Sequence, residues 1–152
     1  MTFREATRAD LPAIVRLLAD DVLGQTRESP GDVIPEAYFT AFEAIEKDPN
    51  NTVVVAEIDG AIAGTLQLTY IPGLTYTGGE RAQIEGVRVA SEHRGRGVGQ
   101  LLIRWAIDQA RARGCRVVQL TTDRQRPDSI RFYQKIGFRP SHMGMKYHLK
   151  DG

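Results

Sequence analysis

The run Arg94-Gly95-Arg96-Gly97-Val98-Gly99 constrains this chain more than any other stretch. It follows an apolar strand pattern, Ile84-Glu85-Gly86-Val87-Arg88-Val89, and opens a helical pattern that runs to Arg113. Strand, glycine-rich turn and helix N-terminus in that order form an anion cradle. Backbone N–H groups converge there, and the helix dipole adds partial positive charge. The glycines let a pyrophosphate approach the backbone without meeting a Cβ. Two familiar cradles are excluded by spacing. No lysine followed by Ser/Thr closes the run, as a P-loop requires. The glycines read G-x-G-x-G past the middle of the chain, not G-x-G-x-x-G near the start of a βαβ unit.

Apolar periodicity places the remaining elements. Phe3-Arg4-Glu5-Ala6 reads as a short strand. Thr7 or Asp10 can cap a helix whose apolar face is Leu11, Ile14, Val15, Leu17 and Leu18. Gly24 to Pro35 reads as a loop, and Glu36 to Lys47 as a second helix with Tyr38, Phe39, Phe42 and Ile45 at helical spacing. Thr52 to Ile58 and Ala61 to Ile71 form a hairpin about Asp59-Gly60. Pro72 to Gly79 is a loop, and Ala82 to Val89 is the strand before the cradle. The helix from Val98 to Arg113 is expected to bury Val98, Leu101, Leu102, Trp105 and Ile107. A strand over 116–122, a helix over 128–136 and a final strand pair over 138–149 complete the order.

Composition bounds the class. At 152 residues, 41% of them apolar and 26% charged, the chain suits a single soluble globular domain with a real core. The single cysteine, Cys115, excludes an intrachain disulfide and a Cys-based zinc site. His93, His142 and His148 show no metal-ligand spacing, so no metal is expected. No apolar run is long enough for a signal peptide or a bilayer span, which suits a reducing cytoplasm and no membrane. Charge is divided unevenly. Residues 1–80 hold five Lys/Arg and thirteen Asp/Glu, a net −8, and residues 81–152 hold fifteen and six, a net +9. The basic half contains the cradle. Opposite fields suit a polyanionic cosubstrate and a cationic acceptor; any single charge is better explained by a solvated face, and the asymmetry as a whole fits either reading equally.

Two segments together resemble a known family. Arg94, Gly97 and Gly99 fill the fixed positions of [QR]-x-x-G-x-[GA], the acyl-CoA cradle of the GNAT superfamily of N-acyltransferases. Ser129-Ile130-Arg131-Phe132-Tyr133-Gln134-Lys135-Ile136-Gly137-Phe138 is similar to that family's C-terminal signature. The resemblance implies an α/β (α+β) fold with a mixed, mostly antiparallel sheet, helices on both faces and the order β-αα-βββ-α-β-α-ββ. It implies acetyl-CoA as acyl donor, direct transfer to an amine, and a homodimer.

Site roles follow from the same resemblance. Tyr133 takes the position of the acid that protonates the leaving thiolate, and a phenol stays protonated at neutral pH. Glu85 takes the position of the base that deprotonates the amine, and partial burial would tune it. His142, expected between the last two strands, is the rival base. Pyrophosphate contacts fall on Arg94, Gly95, Arg96, Gly97, Val98 and Gly99. Val87 and Val89 would bond pantetheine as an added strand, and Ser129 would flank it. Tyr38 and Tyr70 are candidates for the acceptor side, and His93 reads as a surface residue or a phosphate neighbour. The family's asparagine seven residues before the tyrosine is Arg126 here, followed by Pro127. Cys115 has no expected role as a nucleophile.

The resulting expectation is acetyl transfer to a small-molecule amine. Two alternatives remain open: acetylation of a protein lysine or N-terminus, and a non-catalytic acyl-CoA sensor. Nucleic acid is not an expected partner, because the arginines are scattered over several elements with few interleaved aromatics.

Overall fold

The computed structural model describes residues 1–20, 28, 31, 33–126 and 128–150. Most of the loop expected over Gly24 to Pro35, and Pro127, lie outside them. The chain forms two compact units, Met1–Gln119 and Leu120–Gly152.

The first unit contains β1 (Thr2–Glu5), α1 (Leu11–Ala19), α2 (Glu36–Lys47), β2 (Asn51–Ile58), β3 (Ala61–Ile71), β4 (Arg81–Val89), α3 (Val98–Arg113) and β5 (Val117–Gln119). The sheet runs β1-β2-β3-β4-β5. Its first three pairings are antiparallel and β4–β5 is parallel. A parallel pair needs a crossover connection, and α3 supplies it. Asp59 and Gly60 both take positive φ, +52° and +78°, as a two-residue hairpin turn demands.

Pairing register sorts the side chains, since residues directly opposite share a face. Val53, Val55, Gln67 and Glu85 lie toward one face, and Val54, Leu66, Leu68 and Ile84 toward the other. α1 and α2 cover part of the first face through Leu11, Ile14 and Phe42, which cluster with Ala6 and Val55. α3 covers the second. A Cβ on Gly64 would stand 3.1 Å from Arg88 O and 3.5 Å from both Leu102 and Val98. Glycine there permits the helix to approach closely.

The buried stripe of α3 is Val98, Leu102, Ile103, Ala106 and Ala110. Leu101, expected inside, is 48% exposed. At 100° per residue it falls roughly 130° from the centre of that stripe.

An ion-paired corner anchors the start of the chain. Arg4 donates to both oxygens of Asp10 at 2.7 and 3.0 Å and to Glu57 at 2.7 Å. Asp10 also accepts from the Thr7 backbone N–H at 2.7 Å, capping the turn before α1. These donors, the Arg4 guanidinium first, hold the Asp10 carboxyl down at about 2.

In the second unit, α4 (Ser129–Ile136) ends at Gly137, φ +124°, whose N–H donates to Tyr133 O and Gln134 O. Phe132, Ile136 and Phe138 are half-buried. The strand pair expected over 138–149 is not formed. A strand exists only through a ladder with a neighbour, and no described residue of this chain provides one.

Candidate active site

A bulge in β4 organises the site. Thr65 pairs with Arg88 and Gln67 with Glu85, so Gly86 and Val87 together oppose Leu66. Gly86 takes φ +62°, a left-handed conformation that glycine adopts freely at a bulge of this kind. β4 pairs with β5 only over Arg81–Gln83. Beyond Gln83 the β5 side of β4 is an open edge among the described residues. Ala90 N–H turns the other way, donating to Ala63 O at 2.8 Å. By alternation, the backbone groups of Val87 and Val89 face the open edge. Arginine side chains already hold both carbonyls there: Arg88 Nη1 donates to Val87 O at 2.8 Å and Arg94 Nε to Val89 O at 3.3 Å.

The strand then passes through a short 3-10 turn, Ser91–His93, into the cradle. Gly95 and Gly97 take φ +78° and +79°, and a Cβ on either would meet nothing within 4 Å. The space beside each glycine is therefore open to a ligand. Gly97 caps α3 with no side-chain bond to the helix. Val98 is buried and anchors the first turn, while Gly99 is half-buried. Arg96 is exposed. Arg94 does more than face solvent. Its Nη2 donates to Asp20 O at 3.1 Å and Asp20 Oδ2 at 3.3 Å, pinning the end of α1 to the cradle. A cleft of about 570 Å³ opens alongside, lined by Arg16, Leu17, Asp20, Ala90, Ser91 and Glu92 among others.

Glu85 sits in an amide relay that sequence reasoning missed. Gln83 Nε2 donates to Glu85 Oε1 at 2.6 Å, and Gln119 Nε2 donates to Gln83 Oε1 at 2.9 Å. Each bond in such a chain polarises the next, and the carboxylate is oriented as well as satisfied. Glu85 is exposed, so the partial burial expected of it is not found. Gln67 and Thr69 share its face and donate to Asn51 Oδ1 at 3.0 and 3.1 Å. The relay escaped prediction because Gln83 and Gln119 become neighbours only when β5 pairs with β4. Gly86 inside a strand pattern was a readable signal for the bulge.

Other expected site residues are placed as follows. Tyr70 lies on the α3 face, opposite to Glu85, with Trp105 and Arg113 lining a separate cavity of about 300 Å³. The Arg113 guanidinium stands 4.0 Å above its ring, and burial raises the Tyr70 phenol above its usual range. Tyr70 is thus not brought to the carboxylate's face. Tyr38 donates from its hydroxyl to Glu28 Oε1 at 2.8 Å. His93 is half-buried, and its Nδ1 has no hydrogen-bond partner among the described residues. Cys115 lies 3.7 Å from Glu80, and burial pushes its thiol up, away from the reactive thiolate. Among the described residues no group of three or more His, Cys, Asp or Glu could hold a metal ion.

Three candidates belong to the second unit. Tyr133 is half-buried between Phe132 and Phe138, edge-on to both at 5.0 and 5.6 Å. Ser129 is half-buried at the start of α4, its N–H donating to Arg126 O at 3.2 Å. His142 is exposed, its Nδ1 at 2.7 Å from Ser141 Oγ, and it does not lie between two strands as expected.

Comparison with known proteins extends over the whole of this architecture. The sequence profile of the acetyltransferase (GNAT) family matches residues 18–138. A transcriptional regulator from Bacillus halodurans C-125 shares 52% identity and superposes with a TM-score of 0.94, covering 97% of this chain and 98% of that one. An acetyltransferase described from Agrobacterium tumefaciens C58 shares 32% identity at a TM-score of 0.85, covering 97% and 99%. The aminoalkylphosphonate N-acetyltransferase of Salmonella typhimurium is 26% identical over 91% of this chain and 85% of its own length. The matched span contains the bulged strand, the glycine cradle and the tyrosine of α4, and the chain belongs to the acetyltransferase (GNAT) family, as an acyltransferase.

Proposed function

We propose that this chain transfers the acetyl group of acetyl-CoA directly to a primary amine of a small molecule. The family draws its acyl group from acetyl-CoA. The observation that carries the reading is the bulge at Gly86. It leaves the Val87 and Val89 backbone groups on an open edge that leads directly into a cradle of two left-handed glycines. An extended chain ending in a pyrophosphate matches that sequence of features. Its amides would accept from Val87 and Val89 N–H along the edge, and its phosphates would take the N–H groups from Gly95 to Gly99. Because Arg88 and Arg94 already occupy the strand carbonyls, we expect the edge to act chiefly through its N–H donors.

Glu85 is the base in this reading. It removes a proton from the ammonium of the acceptor, and the freed amine nitrogen attacks the thioester carbonyl. The C–N bond forms, the C–S bond breaks, Tyr133 donates its hydroxyl proton to the departing thiolate, and the surplus proton of the new amide nitrogen returns the Tyr133 phenolate to phenol by way of solvent. Glu85 is preferred to His142 because it stands on the bulged strand, held by Gln83. The amine of the Salmonella relative's namesake substrate supports a small acceptor carrying both an amine and an anionic group. We further propose that both compact units serve one functional domain, since the family profile crosses the boundary between them. The cytoplasm as its compartment, and a homodimer as its working form, complete the reading.

The test is release of CoA thiol from acetyl-CoA across polyamines, amino acids, aminoalkylphosphonates, aminoglycosides and lysine peptides. Turnover with one small-amine class is expected. Turnover confined to lysine peptides would move the function to protein acetylation.

A further inference from the structure

We propose that Gln67 is a second binding residue for the acceptor's ammonium group, holding one N–H of the nitrogen while Glu85 takes the proton from another. The inference rests on the proposed function and deepens it, because it says which amines the site selects: primary ones that arrive protonated.

β3 lies between β2 and β4 in the sheet, and Gln67 on β3 is directly opposite Glu85 on β4. Side chains opposite each other in an antiparallel pair share a face, with Cβ atoms about 4.5–5.5 Å apart. Gln67 Nε2 donates toward β2, to Asn51 Oδ1 at 3.0 Å. The Thr69 hydroxyl donates to the same oxygen at 3.1 Å, which fixes Asn51 as an acceptor on that side. A carboxamide is planar, and its oxygen stands on the other branch from its nitrogen. Committing Nε2 to β2 therefore turns Oε1 away from β2, to the side where β4 carries Glu85. On β4, Gln83 donates to Glu85 Oε1 at 2.6 Å and leaves Oε2 over. Among the described residues, neither Gln67 Oε1 nor Glu85 Oε2 accepts a hydrogen bond.

Two acceptor oxygens side by side, one of them charged, call for a donor that reaches both. That donor must be cationic to match the carboxylate and must carry at least two N–H groups. A primary ammonium carries three. A tertiary ammonium carries one and satisfies a single oxygen. A metal ion fits less well, since among the described residues no group of three or more His, Cys, Asp or Glu could hold one. A neutral carboxamide is too weak a base to take the proton, so Gln67 binds and Glu85 performs the transfer. Asn51 and Thr69 are positioning residues: they decide which end of the Gln67 amide meets the acceptor. Gln67, Asn51 and Thr69 are half-buried, which holds the amide in place, and Glu85 is exposed, which lets the amine reach it.

The experiment is steady-state kinetics with the primary amine of the panel above that turns over fastest, and with its N,N-dimethyl analogue as competitive inhibitor. Gln67→Leu removes one hydrogen bond to a charged donor and is expected to raise KM for the amine about tenfold. Its kcat is expected to stay within about threefold, and KM for acetyl-CoA to be unchanged. Gln67→Glu keeps an acceptor oxygen and loses the donor to Asn51, and should hold the amine KM within about threefold. In the native chain the analogue is expected to bind about tenfold more weakly than the amine. That ratio should fall about tenfold in Gln67→Leu, because the analogue has no second N–H for the variant to forfeit. An amine KM unchanged in Gln67→Leu, or raised equally in Gln67→Glu, overturns the inference and leaves the proposed function standing. The absence of turnover with every amine by the native chain overturns both. If Gln67→Leu fails to fold, Gln67→Glu and the native chain decide: an analogue that binds the native chain as tightly as the amine overturns the inference.

Discussion

The cradle and the carboxylate relay lie close in sequence on one strand-to-helix path and are built from different materials. The cradle is backbone. Gly95 and Gly97 supply conformation and open space, and Arg94, which precedes them, is committed to Asp20 and Val89. The relay is side chain, with Gln119, Gln83 and Glu85 joined by two hydrogen bonds of 2.9 and 2.6 Å. Backbone recognition tolerates loss of side chains and fails when a Cβ is added. Side-chain chemistry has the opposite sensitivity. Mutations that remove atoms should therefore hurt the relay, and mutations that add atoms should hurt the cradle.

The largest effect is expected at Glu85. Glu85→Gln should lower kcat/KM by about 10³-fold, within the usual contribution of a general base, and leave acetyl-CoA affinity unchanged. Steady-state rates beside calorimetry check this. If His142 is the base instead, His142→Gln takes the loss and Glu85→Gln is spared.

At the cradle, Gly97→Val forces a β-branched residue to φ +79° and fills the space a phosphate would use. Acetyl-CoA should bind about a hundredfold more weakly, from a left-handed penalty of about 1–2 kcal/mol and a lost charged hydrogen bond. Arg94→Ala, which removes atoms from the same motif, should change that affinity less than about threefold, on the order of a surface pair. An equal loss in the two variants would erase the distinction between the regions.

Gln83→Leu probes the relay at one remove. Losing a hydrogen bond to a charged acceptor is expected to lower kcat about tenfold, with KM for acetyl-CoA unchanged. Gln83→Asn, shorter by one methylene, should fall between. Equal effects on kcat and KM would mark Gln83 as merely structural.

The smallest effect lies outside both regions. Asp10 titrates near 2 in the folded chain, below its ordinary value of 3.8. A depressed folded value contributes stability that is fully present above the ordinary value and is lost as pH falls from about 4 toward 2. Thermal unfolding of Asp10→Asn should therefore lose less stability over that window than the native chain does.

Much of this was legible in the residues. The hairpin at Asp59-Gly60, the limits of α2 and α3, and the glycine stop at Gly137 rest on local chemistry: positive φ, helical periodicity and C-caps. The cradle glycines were readable for the same reason. Leu101 was assigned to the core because apolar character says nothing about which arc of a helix the sheet will touch. Tyr70 was grouped with the acceptor side for a related reason. Pairing with Ala82 turns the ring toward α3, and no local pattern around residue 70 specifies that pairing.

The sequence alone determined what local physics can specify: the strands through β4, the helices, and the run of glycines that opens α3, whereas the strand pair expected over 138–149 is not formed. The tertiary structure decided what depends on pairing. Register set Gln119 beside Gln83 and Gln83 within reach of Glu85, the bulge turned the backbone at Val87 and Val89, and among the described residues the sheet runs no further than β5. The division has one physical reason. Backbone conformation is set by a residue and its near neighbours, whereas a hydrogen bond between strands needs two segments brought together by the rest of the chain.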